Sequence, residues 1–371
     1  MELDISSIKV GKNQPILIIA EAGICHDGSL EKAKQLVDIA KEAGADVVKF
    51  QTWLTEELCL PDTEKAEYQK EQTGEEETQF DMIKKLELSY NEFEELKKYC
   101  DEKDIIFMST PDEETSAKFL VDNIQVPAIK VGSGELTNLS YMKFLASFQK
   151  PMIVSTGMGT IEEVKEAKKM IDEQGNNQVA FLHCTTDYPA KYEDVNLNAM
   201  LTIQKELGTI IGYSDHTMGT YVPLVAAALG AKIIEKHFTY NRLAEGPDHK
   251  ASLSPDQLKE MIDEIRALEK LPKEERIVYA KNYMGESLFN LIAGSSEKKP
   301  TDREAKNKPI VQKSIVARTD LPEGTVLEEK HLVMKRADNR GIPANKYSEL
   351  LGKKLKQNLK PNDIINFDML E

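Results

Sequence analysis

No stretch of this chain holds the roughly 20 consecutive apolar residues that a membrane-crossing helix needs, so no membrane partner is expected. The opening MELDISSIKVGKNQP has neither a basic start nor an apolar core, the two parts of a secretion signal. There are only 4 cysteines (Cys25, Cys59, Cys100 and Cys184), and no two are spaced as CxxC. Reduced thiols in a cytoplasmic protein are therefore expected. Positive charge is also scarce: 48 Lys and Arg against 63 Asp and Glu give a net charge of −15. That disfavours nucleic acid and membrane surfaces as partners. It also means that any anionic substrate must be held by a few particular cations against the overall field. No Gly-x-Gly-x-x-Gly follows the first β-type run, which removes the mark of a dinucleotide fold.

What is present is a long and regular alternation. The 371 residues are 40% hydrophobic and 30% charged, enough for a barrel of about 250 residues and a smaller unit. Eight β-type runs precede residue 240: 16–20, 47–51, 105–110, 128–132, 152–156, 179–184, 210–213 and 232–237. Helical patterns such as LEKAKQLVDIAKEAG and IEEVKEAKKMIDEQG separate them, several closed by a capping glycine (Gly44, Gly175, Gly208, Gly230). The fold class expected is α/β, a (β/α)8 TIM barrel over residues 1–285. The polar stretch AGSSEKKPTDREAKNKP reads as a linker, 286–310, before a small domain, 311–371. The acidic segment 55–88 interrupts the second crossover and is expected to cover the barrel mouth, with a solvated surface excursion as the alternative.

Barrel chemistry sits at the C-terminal strand ends. Read in turn, those ends hold Glu21; Lys49 and Gln51; Thr110; Lys130, Ser133 and Glu135; Ser155; Thr186 and Tyr188; Ser214 and His216; and His237. His216 and His237 close neighbouring parallel strands, so their imidazoles should emerge side by side, as a divalent metal needs. Asp215, Glu235 and Asp248 are candidates for additional oxygen ligands or for holding metal-bound water. Lysines beside small hydroxyls and glycine amides suit a phosphate or carboxylate. Cys25 and Cys184 also lie at strand ends; a thiol-metal centre is the minor alternative to their being wall residues.

The ordered motifs IAEAGICHDG, GADVVKFQT, STPD, KVGSGELTN, IVSTGMGT, LHCTTDYPA, GYSDHT, IEKHFT and GPDHKAS resemble the sialic acid synthase family, as does the tail KSIVA…LPEGTVL…KRADNRGIP…LGKKL. The resemblance runs from about residue 10 to 370. It implies a barrel followed by a C-terminal antifreeze-like (SAF) domain. It further implies a domain-swapped homodimer in which each SAF domain covers the partner's barrel. The implied reaction condenses phosphoenolpyruvate with an N-acylated hexosamine to a nine-carbon 2-keto sugar acid and phosphate. Carried over residue by residue, His216 and His237 match ligands of Mn2+ or Mg2+. Lys49, Thr110, Lys130, Ser133, Ser155 and Ser214 match the phosphoenolpyruvate site. Glu21, Gln51, Thr186, Tyr188 and Asp248 match groups around the sugar, and Glu135 the group that orients metal-bound water. Arg336 matches an arginine that the partner's SAF domain delivers to the N-acyl group. Glu21, Glu135 and Asp248 are thus the candidate catalytic carboxylates, and whether Glu135 or Asp248 handles the attacking water stays open.

Departures from the family pattern at Cys25-His26-Asp27-Gly28, Asp112 and Thr186 ring the expected sugar pocket. Thr186 looks closer to legionaminate synthases than to neuraminate synthases. A pseudaminate synthase, a synthase of shorter 2-keto sugar acids, a metal aldolase using pyruvate and a surface-polysaccharide protein that binds sugar without turnover are the alternatives.

Overall fold

The apolar runs show little alternation because their strands are covered on both faces, as parallel strands under helices are. The computed structural model describes residues 2–371. Its barrel strands are β1 (Leu17–Gly23), β2 (Val47–Thr52), β3 (Ile106–Pro111), β4 (Ile129–Val131), β5 (Met152–Ser155), β6 (Val179–Cys184), β7 (Ile210–Asp215) and β8 (Ile233–His237). They form one parallel sheet in the order β3-β2-β1-β8-β7-β6-β5-β4, and β3 touches β4 to close it. The expected (β/α)8 TIM barrel is therefore present. Each crossover helix sits where its pattern placed it. In the helix Leu30–Ala43, Ser29 caps the start by accepting from the Lys32 amide. Its Ala33, Leu36, Val37 and Ala40 face the sheet, and Gly44, at φ 87°, supplies the left-handed exit that a side chain would resist.

Two apolar layers result. One lies between strands and helices. The other fills the barrel, with Leu17, Ile19, Met108, Ile153, Leu182 and Ile233. The second layer also takes Leu3, Ile5 and Val10 from an N-terminal hairpin, Glu2–Ile5 with Ile8–Gly11, that plugs the end opposite the mouth.

The segment after β2 is ordered into three short helices, Thr55–Leu58, Glu67–Thr73 and Gln79–Leu86. Their Leu58, Met82, Ile83 and Leu86 pack with Trp53 at the mouth, so the solvated alternative does not hold. The stretch read as a linker also differs from expectation. It forms helices Glu286–Ala293 and Asp302–Val311, and the second docks on the barrel. Glu304 is buried there and accepts from the Met158 and Thr186 amides at 2.7 and 2.9 Å. Its anchors are polar, which is why composition hid them. The C-terminal unit pairs β9 (Lys313–Ala317) with β10 (Leu332–Arg336) around its own small core. It sits on its own barrel through Arg318–Glu114, Arg340–Asp62 and the packing of Leu60 against Val316 and Ala337. Among the described residues no helix is long and apolar enough to cross a membrane.

Candidate active site

A single cavity at the C-terminal strand ends is lined by all 15 expected site residues, from Glu21 to Arg336. At its floor is a chain of alternating charge. Lys49 Nζ lies 2.8 Å from Glu21 Oε2 and 3.9 Å from Glu235 Oε2, and Lys130 Nζ lies 3.3 Å from Glu235 Oε1. All four residues are buried. Lys49 also donates to Thr110 Oγ1 at 3.0 Å and Lys130 to Ser155 Oγ at 2.8 Å, while Ser214 Oγ donates to Glu235 Oε1 at 2.8 Å. The period of two along each strand is what turns these side chains inward together. Burial lowers Lys130, whereas the carboxylates of Glu21 and Glu235 overcome burial and raise Lys49. Burial pushes Glu21 up to about 7 despite Lys49. The result is two ammonium groups and several hydroxyls, pre-positioned with little side-chain freedom left to lose. Ser133 adds its hydroxyl beside Gly157, whose amide donates to it at 3.0 Å. A Cβ at Gly157 would come within 2.1 Å of Thr186 Oγ1 and 2.7 Å of Ser133 Oγ, so only glycine leaves these groups in place.

The paired imidazoles are neighbours, with ring centroids 5.3 Å apart. His216 Nδ1 bonds the Thr185 carbonyl at 2.8 Å, which fixes the ring and leaves Nε2 free. His237 Nδ1 is buried, has no hydrogen-bond partner and lies 3.9 Å from Asp248 Oδ2. An orphaned ring nitrogen beside a second imidazole anchored through Nδ1 fits a divalent cation. Among the described residues no group of three or more His, Cys, Asp or Glu is arranged around one point, so the protein would supply few ligands and leave the other positions open. Asp215 is not one of them. It points to the far side of β7 and pairs with Lys236 at 2.5 Å, both fully buried. Glu235 serves as counter-ion to the lysines. Cys25 faces Ser252, and Cys184 is a wall residue 3.6 Å from His216 Nδ1, so the thiol-metal alternative finds no centre.

Asp248 is pushed up to about 6, chiefly by burial. The next residue anchors its loop: His249 Nε2 meets Asp27 Oδ1 at 2.8 Å, and His249 Nδ1 meets Thr239 Oγ1 at 2.6 Å. Tyr188 packs against both imidazoles, tilted over His216 with ring centroids 4.1 Å apart and edge-on to His237 at 5.9 Å. Gln51 donates to Glu21 Oε1 at 3.2 Å. Arg336, at the end of β10, enters the same cavity with Nη1 3.4 Å from Gln79 Oε1. Within this chain it comes from the chain's own SAF-like unit, whereas the resemblance implied the partner's. The docked helix ends at Val311, two residues before Lys313, which pairs with Glu135.

Several residues in the wall or just behind it escaped sequence reasoning. Lys313 pairs with Glu135 at 2.7 Å, and Asn138 donates to the other Glu135 oxygen at 2.8 Å, so that carboxylate is held from two sides. Asn307, Gln79 and Trp53 complete the wall. For Asn307 and Gln79 the only signal was position, in an apparent linker and an apparent excursion.

The NeuB family model matches residues 36–276 and the SAF domain model residues 312–371. An N,N'-diacetyllegionaminic acid synthase of Legionella pneumophila is 39% identical over 365 residues, 97% of this chain and 96% of that one. A Campylobacter jejuni protein of the same name is 40% identical, covering 94% and 98%. Among solved structures, a spore coat polysaccharide biosynthesis protein of Bacillus subtilis matches with a TM-score of 0.81 and 32% identity, over 100% of this chain and 99% of that one.

Proposed function

This chain belongs to the NeuB family, and we propose that it is a nonulosonic acid synthase acting in the cytoplasm. It joins phosphoenolpyruvate to an N-acylated hexosamine and releases a nine-carbon 2-keto sugar acid and phosphate. The sugar favoured is 2,4-diacetamido-2,4,6-trideoxymannose, giving N,N'-diacetyllegionaminate. The names of the two bacterial relatives and Thr186 in the wall support that choice over N-acetylmannosamine.

The observation that carries the reading is the juxtaposition of Lys49 and Lys130 with the pair His216 and His237 in one cavity. The lysines, with Thr110, Ser133, Ser155 and Ser214, bind the carboxylate and phosphate of phosphoenolpyruvate and hold its C3 toward the imidazoles. His216 and His237 would hold Mn2+ or Mg2+, which supplies Lewis-acid polarisation of the open-chain aldehyde oxygen. Tyr188, Gln51 and Arg336 orient the sugar and its N-acyl group. The C3–C1 bond forms, water adds at C2, and the C2–O bond to phosphate breaks to leave the ketone. Asp248 is the carboxylate suited to taking the water's proton, since its raised pKa of about 6 lies near working pH. Glu135, gripped by Lys313 and Asn138, orients that water.

Phosphate release from phosphoenolpyruvate with Mn2+, measured across N-acetylmannosamine and diacetamido-trideoxy hexoses, tests the assignment. Turnover is expected with the diacetamido-trideoxymannose. Absence of release with every N-acylated hexosamine would overturn the reading. Turnover of N-acetylmannosamine alone would correct the sugar.

A further inference from the structure

The end of the barrel opposite the site carries a second cavity, of about 520 Å³. Its wall includes Lys12, Gln204, Thr209, Lys232, Lys273 and Arg276. Among the described residues that wall holds no Asp or Glu, in a chain whose net charge is −15. None of its four cations forms an ion pair with a described carboxylate. Lys232 is half-buried, and its ammonium is lowered first by burial and then by Lys273 and Arg276, against the smaller opposing pull of Glu269. Like charges gathered with so little counter-charge repel one another, and an anion between them relieves that repulsion.

A second observation is independent of charge. Thr209 is 5% exposed, borders the cavity, and its hydroxyl has no hydrogen-bond partner. Buried hydroxyls are nearly always paired, and this one, at the cavity wall, is not. Capping of helix C-terminal carbonyls explains part of the cluster. Arg276 donates through Nε to Leu271 O at 3.1 Å and through Nη2 to Glu269 O at 2.8 Å, and Lys232 donates to Gln14 O at 3.3 Å. Capping does not account for Lys12, Lys273 or the Thr209 hydroxyl.

We propose that this cavity binds a phosphate-bearing small molecule, with Thr209 and the four cations as its donors. Its volume falls in the range of small-molecule sites, about 300–1,000 Å³, and so has room for an organic phosphate as well as free phosphate. Thr209 and Lys232 immediately precede β7 and β8, and the active-site cavity lies at the far ends of those strands, so an occupant here does not compete with substrate.

Calorimetric titration of the full chain with orthophosphate, pyrophosphate and adenosine 5'-monophosphate tests this. The background variant Lys130→Met weakens phosphate binding at the mouth. At low salt at least one probe is expected to bind one per chain in Lys130→Met, and wild type is expected to retain that same site in addition to the one at its mouth. Affinity is expected to fall at least about 10-fold in the double variant Lys12→Ala/Lys273→Ala, whose side chains are exposed, and to fall with added salt. Thr209→Val, which removes only the hydroxyl, is expected to weaken it too. Binding of the nucleotide but not orthophosphate identifies a phosphate ester as ligand, and the converse identifies free phosphate. No binding of any probe, binding untouched by the double variant, or binding lost in Lys130→Met would each overturn the proposal.

Discussion

Lys130 is the residue whose environment is least forgiving. Its ammonium is buried between Ser155 and Glu235, and removing it leaves Glu235 with only the more distant Lys49 as counter-charge. Lys130→Met is expected to lower kcat/KM for phosphoenolpyruvate about 100-fold or more, roughly 2.7 kcal/mol of transition-state stabilisation. Steady-state kinetics with phosphate detection checks it; a loss below about threefold would place the anion elsewhere. Asp27 makes a different prediction, about stability. Although burial opposes it, bonds from His249, Lys32 and Tyr240 hold its carboxyl down to about 2. A folded pKa depressed below the unfolded value near 3.8 means stability that is present above pH 4 and lost as pH falls through 2. Asp27→Asn should therefore cost about 1–2 kcal/mol at pH 7 and little near pH 2, read by urea unfolding at both values. An equal cost at the two pH values would show that ionisation is not the source. The site residues were legible because polar, reactive types recur at strand ends that the barrel brings together. Asp215 was misleading because its neighbour in sequence, His216, faces the cavity, and the period of two sends Asp215 to the other side.

At the scale of the element, β7 and β8 carry the imidazoles, and one buried ion pair joins them. Asp215 precedes His216 and Lys236 precedes His237, and the two are register partners with no exposure. Lys236 Nζ also donates to the Thr217 carbonyl, and Asp215 accepts from Thr217 Oγ1 at 3.0 Å. This pair fixes how far apart the two imidazoles stand. Lys236→Met leaves a buried carboxylate unpaired and is expected to destabilise by about 3–5 kcal/mol. The double variant Lys236→Met/Asp215→Leu should recover most stability yet bind Mn2+ about 10- to 100-fold more weakly, as loss of an orienting group does. Unchanged Mn2+ affinity in a folded double variant would remove the pair from any positioning role. The strand and helix alternation was readable because its periods are regular. The N-terminal hairpin and the helix Asp302–Val311 were not, one being very short and the other anchored by Glu304 and Lys308 through polar contacts.

At the scale of the whole molecule, the C-terminal unit closes the cavity with Arg336, and its contacts with the barrel are many small ones of polar and apolar kinds. Every one of them can form equally between two copies, which is what makes exchange of identical units a low-cost route to dimers. The proposal is a homodimer with exchanged SAF domains. Mixing Arg336→Ala with Lys130→Met proteins, each inactive, is then expected to restore roughly a quarter of wild-type activity, since half of random pairs are mixed and one of their two sites is intact. No recovery after unfolding and refolding the mixture would mean that each chain closes its own site.

Mn2+ binding followed by electron paramagnetic resonance, with and without phosphoenolpyruvate, tests the paired imidazoles and the two lysines together. Wild type is expected to bind one Mn2+ per chain, His237→Ala to bind it at least about 100-fold more weakly, and Lys130→Met to keep Mn2+ while losing phosphoenolpyruvate. Undiminished Mn2+ binding by His237→Ala, or undiminished phosphoenolpyruvate binding by Lys130→Met, would contradict the arrangement on which the proposed reaction rests.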